Sequence, residues 1–188
     1  MLFKIGLGVV GLIVLLLVVI STRPATFAIE RAVSIEAPAE AVFSQLVNLH
    51  AWERWNPFEK GDPTVVRSYS GVPGTIGSSF HYSGEDVGEG RMTIVDAVSN
   101  RRVTVQAEFI KPFAATNAVE FTLEPDGKGV LLRWTMSGEN DFLSKAVGLV
   151  MDMDRMIGSE FEKGLADIRR LAEESDEPSQ QAPVESGA

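Results

Sequence analysis

The apolar pattern of this chain changes period once. Between Ser78 and Met136 apolar residues recur at every second position, and beyond Phe142 they step at three and four. Val103, Val105, Ala107 and Phe109 share one face, with Thr104, Gln106 and Glu108 on the other. Val119, Phe121 and Leu123 repeat this against Glu120, Thr122 and Glu124, and Leu132, Trp134 and Met136 against Arg133 and Thr135. Such alternation marks antiparallel strands with one wet face. From Phe142 to Ala172 the stripe through Ala146, Val150, Met153, Ile157, Phe161, Leu165 and Ile168 predicts one helix of about thirty residues, with Asn140 or Asp141 at its cap. A curved sheet with one apolar face needs a cover, and a long amphipathic helix supplies it.

The upstream segments fit the same plan. Phe27–Glu36 reads as a strand and Pro38 opens a helix with Val42, Phe43, Leu46, Val47 and Leu49 on its apolar face. Pro57 stops it after Trp52 and Trp55. Val65–Ser70, Ser78–Ser83 and Arg91–Val98 are further strands, joined by the glycine-rich links 71–74 and 84–90. The expected fold class is α+β. It is a helix-grip in which a curved antiparallel sheet wraps around a long C-terminal helix and leaves room for an apolar cavity.

Residues 5–20, IGLGVVGLIVLLLVVI, form an unbroken apolar run. As a helix it extends roughly 24 Å, close to a bilayer core once Phe3, Ser21 and Thr22 are added. A cleaved export signal is the competing reading. Its basic start is reduced to the terminal amine and Lys4, and no good cleavage site follows. The expectation is therefore an uncleaved anchor over 1–22, a linker over 23–26, a ligand-binding domain over 27–172 and a disordered acidic tail over 173–188. Lys4 ahead of the span places the domain on the extracytoplasmic side of a bacterial inner membrane. The net charge is −9, and the tail holds five acids and no base, which leaves −4 for the remainder. With no basic stripe, a nucleic-acid partner is not expected.

The order of these motifs resembles the START-like (SRPBCC) superfamily, and more narrowly its polyketide cyclase/dehydrase and lipid transport group. The residues that carry the resemblance are Ala37–Phe43 (APAEAVF), Trp52–Phe58 (WERWNPF), Tyr69-Ser70-Gly71, Val87–Ile94, Lys111-Pro112-Phe113, Met153–Gly158 and Phe161–Leu165. The resemblance implies the helix-grip fold over roughly 27–172. Members include hydrophobic-ligand carriers, cyclases, hydrolases, receptors and cochaperones, so it implies no fixed catalytic set.

The chain has no cysteine and only His50 and His81, in no metal-binding spacing, so neither a metal nor a cofactor is expected. His81 lies between Phe80 and Tyr82 and therefore points to the wet face. Asp152 and Asp154 do not share a helical face; Asp154, nearer the buried stripe, reads as a structural ion pair. No nucleophile motif or phosphate loop is present. What remains is the cavity, with Trp55, Tyr69, Tyr82, Met92, Asn117, Trp134 and Met153 as candidate ligand contacts and no catalytic residue assigned. Trp55 and Phe58 are expected to close one mouth, and Lys111–Phe113 to lie near the other rim. The expected function is a membrane-anchored binder of a lipid, isoprenoid or polyketide-like ligand. A cyclase or dehydratase using the cavity and a protein-interaction module without one are the alternatives. A buried carboxylate or tyrosine pair would separate the enzyme from the carrier.

Overall fold

The computed structural model describes the backbone of residues 2–149 and 151–176, with their side chains apart from those of 2–10, 13, 143 and 176. Helix α1 (Leu2–Ser21) is followed by strand β1 (Thr26–Ile35). Helix α2 (Ala39–Val47), a 3-10 turn (Leu49–Ala51) and the single-turn helix α3 (Trp52–Trp55) come next. Six strands follow: β2 (Val66–Ser70), β3 (Ser79–Gly84), β4 (Gly88–Val98), β5 (Arg102–Lys111), β6 (Ala115–Asp126) and β7 (Gly129–Glu139). Helices α4 (Phe142–Val147) and α5 (Met153–Asp176) close the described chain.

Among the described residues the strands form one antiparallel sheet of order β1-β7-β6-β5-β4-β3-β2. Consecutive strands pair by hairpins from β2 to β7, and β1 returns to the free edge of β7. The inward residues Val103, Val105, Ala107, Phe121 and Leu132 are fully or almost fully buried, as the alternation requires. Helix α5 lies across this face through Phe161, Leu165, Ile168 and Ala172. Layered this way, the sheet and helix form a helix-grip.

The expected single helix over 142–172 is two. Asp141 caps the start of α4 by accepting from Ser144 N at 2.7 Å, and Gly148, whose N–H donates to Ser144 O at 2.9 Å, is its last capping residue. Asp152 then caps α5, its Oδ1 accepting from Arg155 N at 3.0 Å. The Asp152 cap is the local sign of the new helix start, and the continuous apolar stripe masks it. Asn140, the other candidate cap, instead holds the chain before β1: its N–H donates to Ala25 O at 2.7 Å and its Nδ2 to Pro24 O at 3.3 Å. Helix α5 also runs to Asp176, past the expected domain limit at 172, and Glu173 accepts from Glu36 N at 3.1 Å. The rest of the expected tail, 177–188, lies outside the described residues.

The end of α2 explains the helical pair. The last carbonyls of a helix lack internal partners. Here Gln45 O accepts from Trp55 Nε1 at 3.1 Å, and Leu46 O from Trp52 Nε1 at 3.0 Å. Two indoles thus fold α3 back under α2 and into the core.

Edge strand β1 turns a charge inward. Arg31 follows Ile29 and precedes Val33 on the buried face, and α5 meets it with Asp154 at 2.9 Å and Glu162 at 3.1 Å. Gly158 provides the room, since a Cβ there would overlap the guanidinium. Arg31 holds the Asp154 carboxyl below its usual range.

Among the described residues no helix is long and apolar enough to cross a membrane. Much of the anchor expected over 1–22 falls on side chains outside that set. Of the described side chains of α1, Leu12 and Val14 through Val19 are exposed and Ile20 alone is buried.

Candidate functional site

The site is built from the loop that follows α3. Asn56 ends that helix, and Pro57 keeps the chain extended. Asn56 Nδ2 then donates to Glu59 Oε1 at 2.5 Å, and Arg67 Nε, from β2, donates to Glu59 Oε2 at 2.6 Å. Glu59 is only 6% exposed. Burial pushes its pKa above the ordinary carboxylate value, and Arg67 opposes the shift without cancelling it.

Asp62 fixes the far end of the loop. Its Oδ1 accepts from Thr64 N at 2.8 Å and from the Thr64 hydroxyl. Its Oδ2 accepts from Asp86 N at 2.8 Å and Val87 N at 3.1 Å, in the β3–β4 connection. A Cβ on Gly84 would overlap that carboxylate, so the residue there is glycine. The Thr64 hydroxyl and these backbone donors bring the Asp62 pKa down to about 2. An ion pair from Lys60 to Asp167 of α5 ties the middle of the loop to the helix.

Together these elements enclose a cavity of about 490 Å³ between sheet, loop and helix. Most of its wall is apolar: Trp52, Phe58, Tyr82, Val87, Met92, Ala107, Phe109, Val119, Trp134, Met136, Ile157 and Phe161. Asn56, Glu59, Asp62 and Asp86 supply the polar part. Trp134 stacks on Phe161 with centroids 4.2 Å apart. The Trp134 Nε1 is buried without a conventional acceptor. Its ring stands at 89° to Trp55 with centroids 5.5 Å apart, a geometry in which a π face can meet an N–H. Burial, with the charge of Glu59, pushes the Tyr82 hydroxyl up to about 12. Gly90, opposite Tyr82 in the register, leaves space for that hydroxyl.

Of the residues proposed from sequence, Tyr82, Met92 and Trp134 meet in this wall. Trp55 does not: it is fully buried, and its indole is spent on Gln45 O. Nor does it close a mouth, whereas Phe58 lines the cavity and is 43% exposed. Tyr69 sits outside, stacked on His50 at 3.7 Å, with its hydroxyl donating to Glu53 at 2.5 Å. Asn117 donates to Met136 Sδ at 3.9 Å and is not among the lining residues. Met153 opens α5 one turn before Ile157, which does line the cavity. His81 pairs with Glu89 at 3.2 Å, away from the wall.

Sequence reading missed Glu59, Asn56 and Asp62. The sequence pattern ends a helix at Pro57 and assigns no role to residues 59–64. Asp62-Pro63-Thr64 is a legible Asx turn, but nothing local shows that Arg67 and Val87 converge on the same loop. Glu59 is a single buried carboxylate whose partners are Arg67 and Asn56, not a second acid.

The chain belongs to the polyketide cyclase / dehydrase and lipid transport family, whose pattern matches residues 26–173. No curated protein matches it. Solved structures share the fold at low identity. Protein CV1439 from Chromobacterium violaceum is 17% identical, with 80% of this chain and 99% of that one covered and a TM-score of 0.56. The Aha1 dimer from Colwellia psychrerythraea gives 16% identity, 78% and 96% coverage, and a TM-score of 0.56. The di-domain ARO/CYC StfQ of the steffimycin biosynthetic pathway gives 13% identity and a TM-score of 0.59, covering 80% of this chain and 52% of that protein.

Proposed function

We propose that this protein binds one small hydrophobic or amphipathic molecule in the helix-grip cavity, and that α1 tethers it to a membrane with the domain on the extracytoplasmic side. The observation that carries the binding reading is the cavity. About 490 Å³ of mostly apolar space lies within the roughly 300–1,000 Å³ typical of sites for molecules of drug size. A lipid, isoprenoid or polyketide-like ring would place its apolar body against Met92, Ala107, Val119 and Phe161. Its oxygen would face Glu59 and Asn56. The tether reading rests on the run 5–20 and on the exposure of apolar side chains along α1, since a helix apolar on every side needs a non-aqueous partner. Native mass spectrometry of the full chain in detergent tests the binding reading. One bound small molecule per chain supports it. A chain that is empty and also fails to take up an apolar fluorophore contradicts it.

A second reading is favoured by Glu59. A carboxyl whose pKa is raised by burial in a cavity wall, beside a hydroxyl held protonated, is poised for proton transfer to a bound ketone or alcohol. Under this reading Glu59 exchanges the proton while Arg67 and Asn56 hold it in place. Glu59→Gln separates the two when its ligand uptake and turnover are read at a temperature where melting shows the variant folded: a carrier still takes up its ligand, whereas an enzyme takes it up and loses turnover.

A further inference from the structure

We propose that the end of the sheet from which α1 departs lies against the bilayer surface, with Phe113 and Phe142 inserted into it, so that the cavity is loaded from lipid. This rests on the reading of α1 as a membrane anchor.

Four residues separate the end of α1 at Ser21 from β1 at Thr26, a reach of roughly 14 Å at full extension. The link is shorter in practice, because Asn140 binds both Pro24 and Ala25, and Ile20 is buried. Helix α1 also packs on α4. The domain is therefore held close to the anchor in one orientation and does not swing on a free tether.

The register identifies that end. Thr26 pairs with Glu139, so β1 begins where β7 finishes. Phe109 pairs with Ala115, so the β5–β6 link at 112–114 lies at the same end. Phe113 in that link is 69% exposed, and Phe142 at the start of α4 is 56% exposed. The cavity reaches this end through Phe109, Val87 and Ile157. Exposed Met156 precedes Ile157 on the first turn of α5.

Charge makes the contact apolar. At this end Arg23, Arg31, Lys111, Lys145 and Arg155 are outnumbered by Glu85, Asp86, Glu89, Glu139, Asp141, Asp152 and Asp154. Without an excess of cations, attraction to anionic headgroups supplies little, and insertion of aromatic side chains into the interface supplies the contact.

The chain has no cysteine, so an introduced one reports a single position. Full-length Leu16→Cys, Phe113→Cys, Phe142→Cys and Val72→Cys variants are labelled with a polarity-sensitive fluorophore and reconstituted into phosphatidylcholine vesicles containing spin-labelled quencher lipids. Val72 is 67% exposed in the β2–β3 link at the opposite end and serves as the wet control. The expected result is a blue shift and lipid quenching at 16, 113 and 142 but not at 72, unchanged when anionic lipid is added. Quenching at 16 with 113 and 142 as wet as 72 overturns the docking and leaves the anchor standing. A wet position 16 overturns the anchor, and the docking with it. Quenching at 113 and 142 that appears only with anionic lipid overturns the apolar contact.

Discussion

Glu59 Oε2 lies 2.6 Å from Arg67 Nε inside the domain, and Asn56 holds the other carboxylate oxygen at 2.5 Å. A buried carboxylate of this kind is stable only while its partners remain. Arg67→Ala is expected to destabilise the domain by about 3 kcal/mol, because it strands a buried charge. Glu59→Leu combined with Arg67→Met is expected to cost much less than Arg67→Ala alone. Chemical denaturation of the three proteins checks this. A double variant as unstable as Arg67→Ala would mean the pair is not what holds the loop.

The pH dependence follows from Asp62. Its pKa is lowered to about 2 in the fold from an ordinary 3.8, so the folded chain releases this proton more readily than the unfolded chain. The stability from Asp62 is therefore present above the unfolded value and is lost as pH falls toward the folded one. Denaturation midpoints should drop between about pH 4 and pH 2, and Asp62→Asn should flatten that limb. Glu59 has the opposite sign. Its raised pKa contributes stability that is present below 4.5 and is lost as pH rises through the folded value.

Helix α5 is pressed on the sheet at Gly164, where a Cβ would stand 2.7 Å from the Trp134 ring and 3.1 Å from Pro57 Cδ. Gly164→Ala is expected to cost about 1–3 kcal/mol through overpacking, although alanine is the better helix former. Thermal melts compared with those of Ala166→Gly, at an exposed position of the same helix, separate packing from propensity.

These sites show what the sequence could and could not disclose. Strand parity from Val103 to Met136 is a local property, and the buried face follows it residue by residue. The break between α4 and α5 is also local, but a continuous apolar stripe outweighs Gly148 and Asp152 in a periodicity reading. The polar end of the cavity is different in kind. Glu59 meets Arg67 from a strand, Asp62 meets Val87 from a hairpin, and Lys60 meets Asp167 from a helix, contacts that no window of sequence contains. Trp55 fails as a ligand contact for a related reason: its ring and its N–H are both taken up by the core.

The ligand proposed for this protein would lie in the cavity between sheet and α5. Ala107 is fully buried and lines that cavity, so Ala107→Phe fills the space without disturbing the surface. The most direct test is titration of the wild type and Ala107→Phe with an apolar naphthalene fluorophore, alongside their melting curves. The expected result is saturable uptake by the wild type and at least about tenfold weaker uptake by the filled variant, which melts within a few degrees of the wild type. Equal uptake by two equally stable proteins would contradict it.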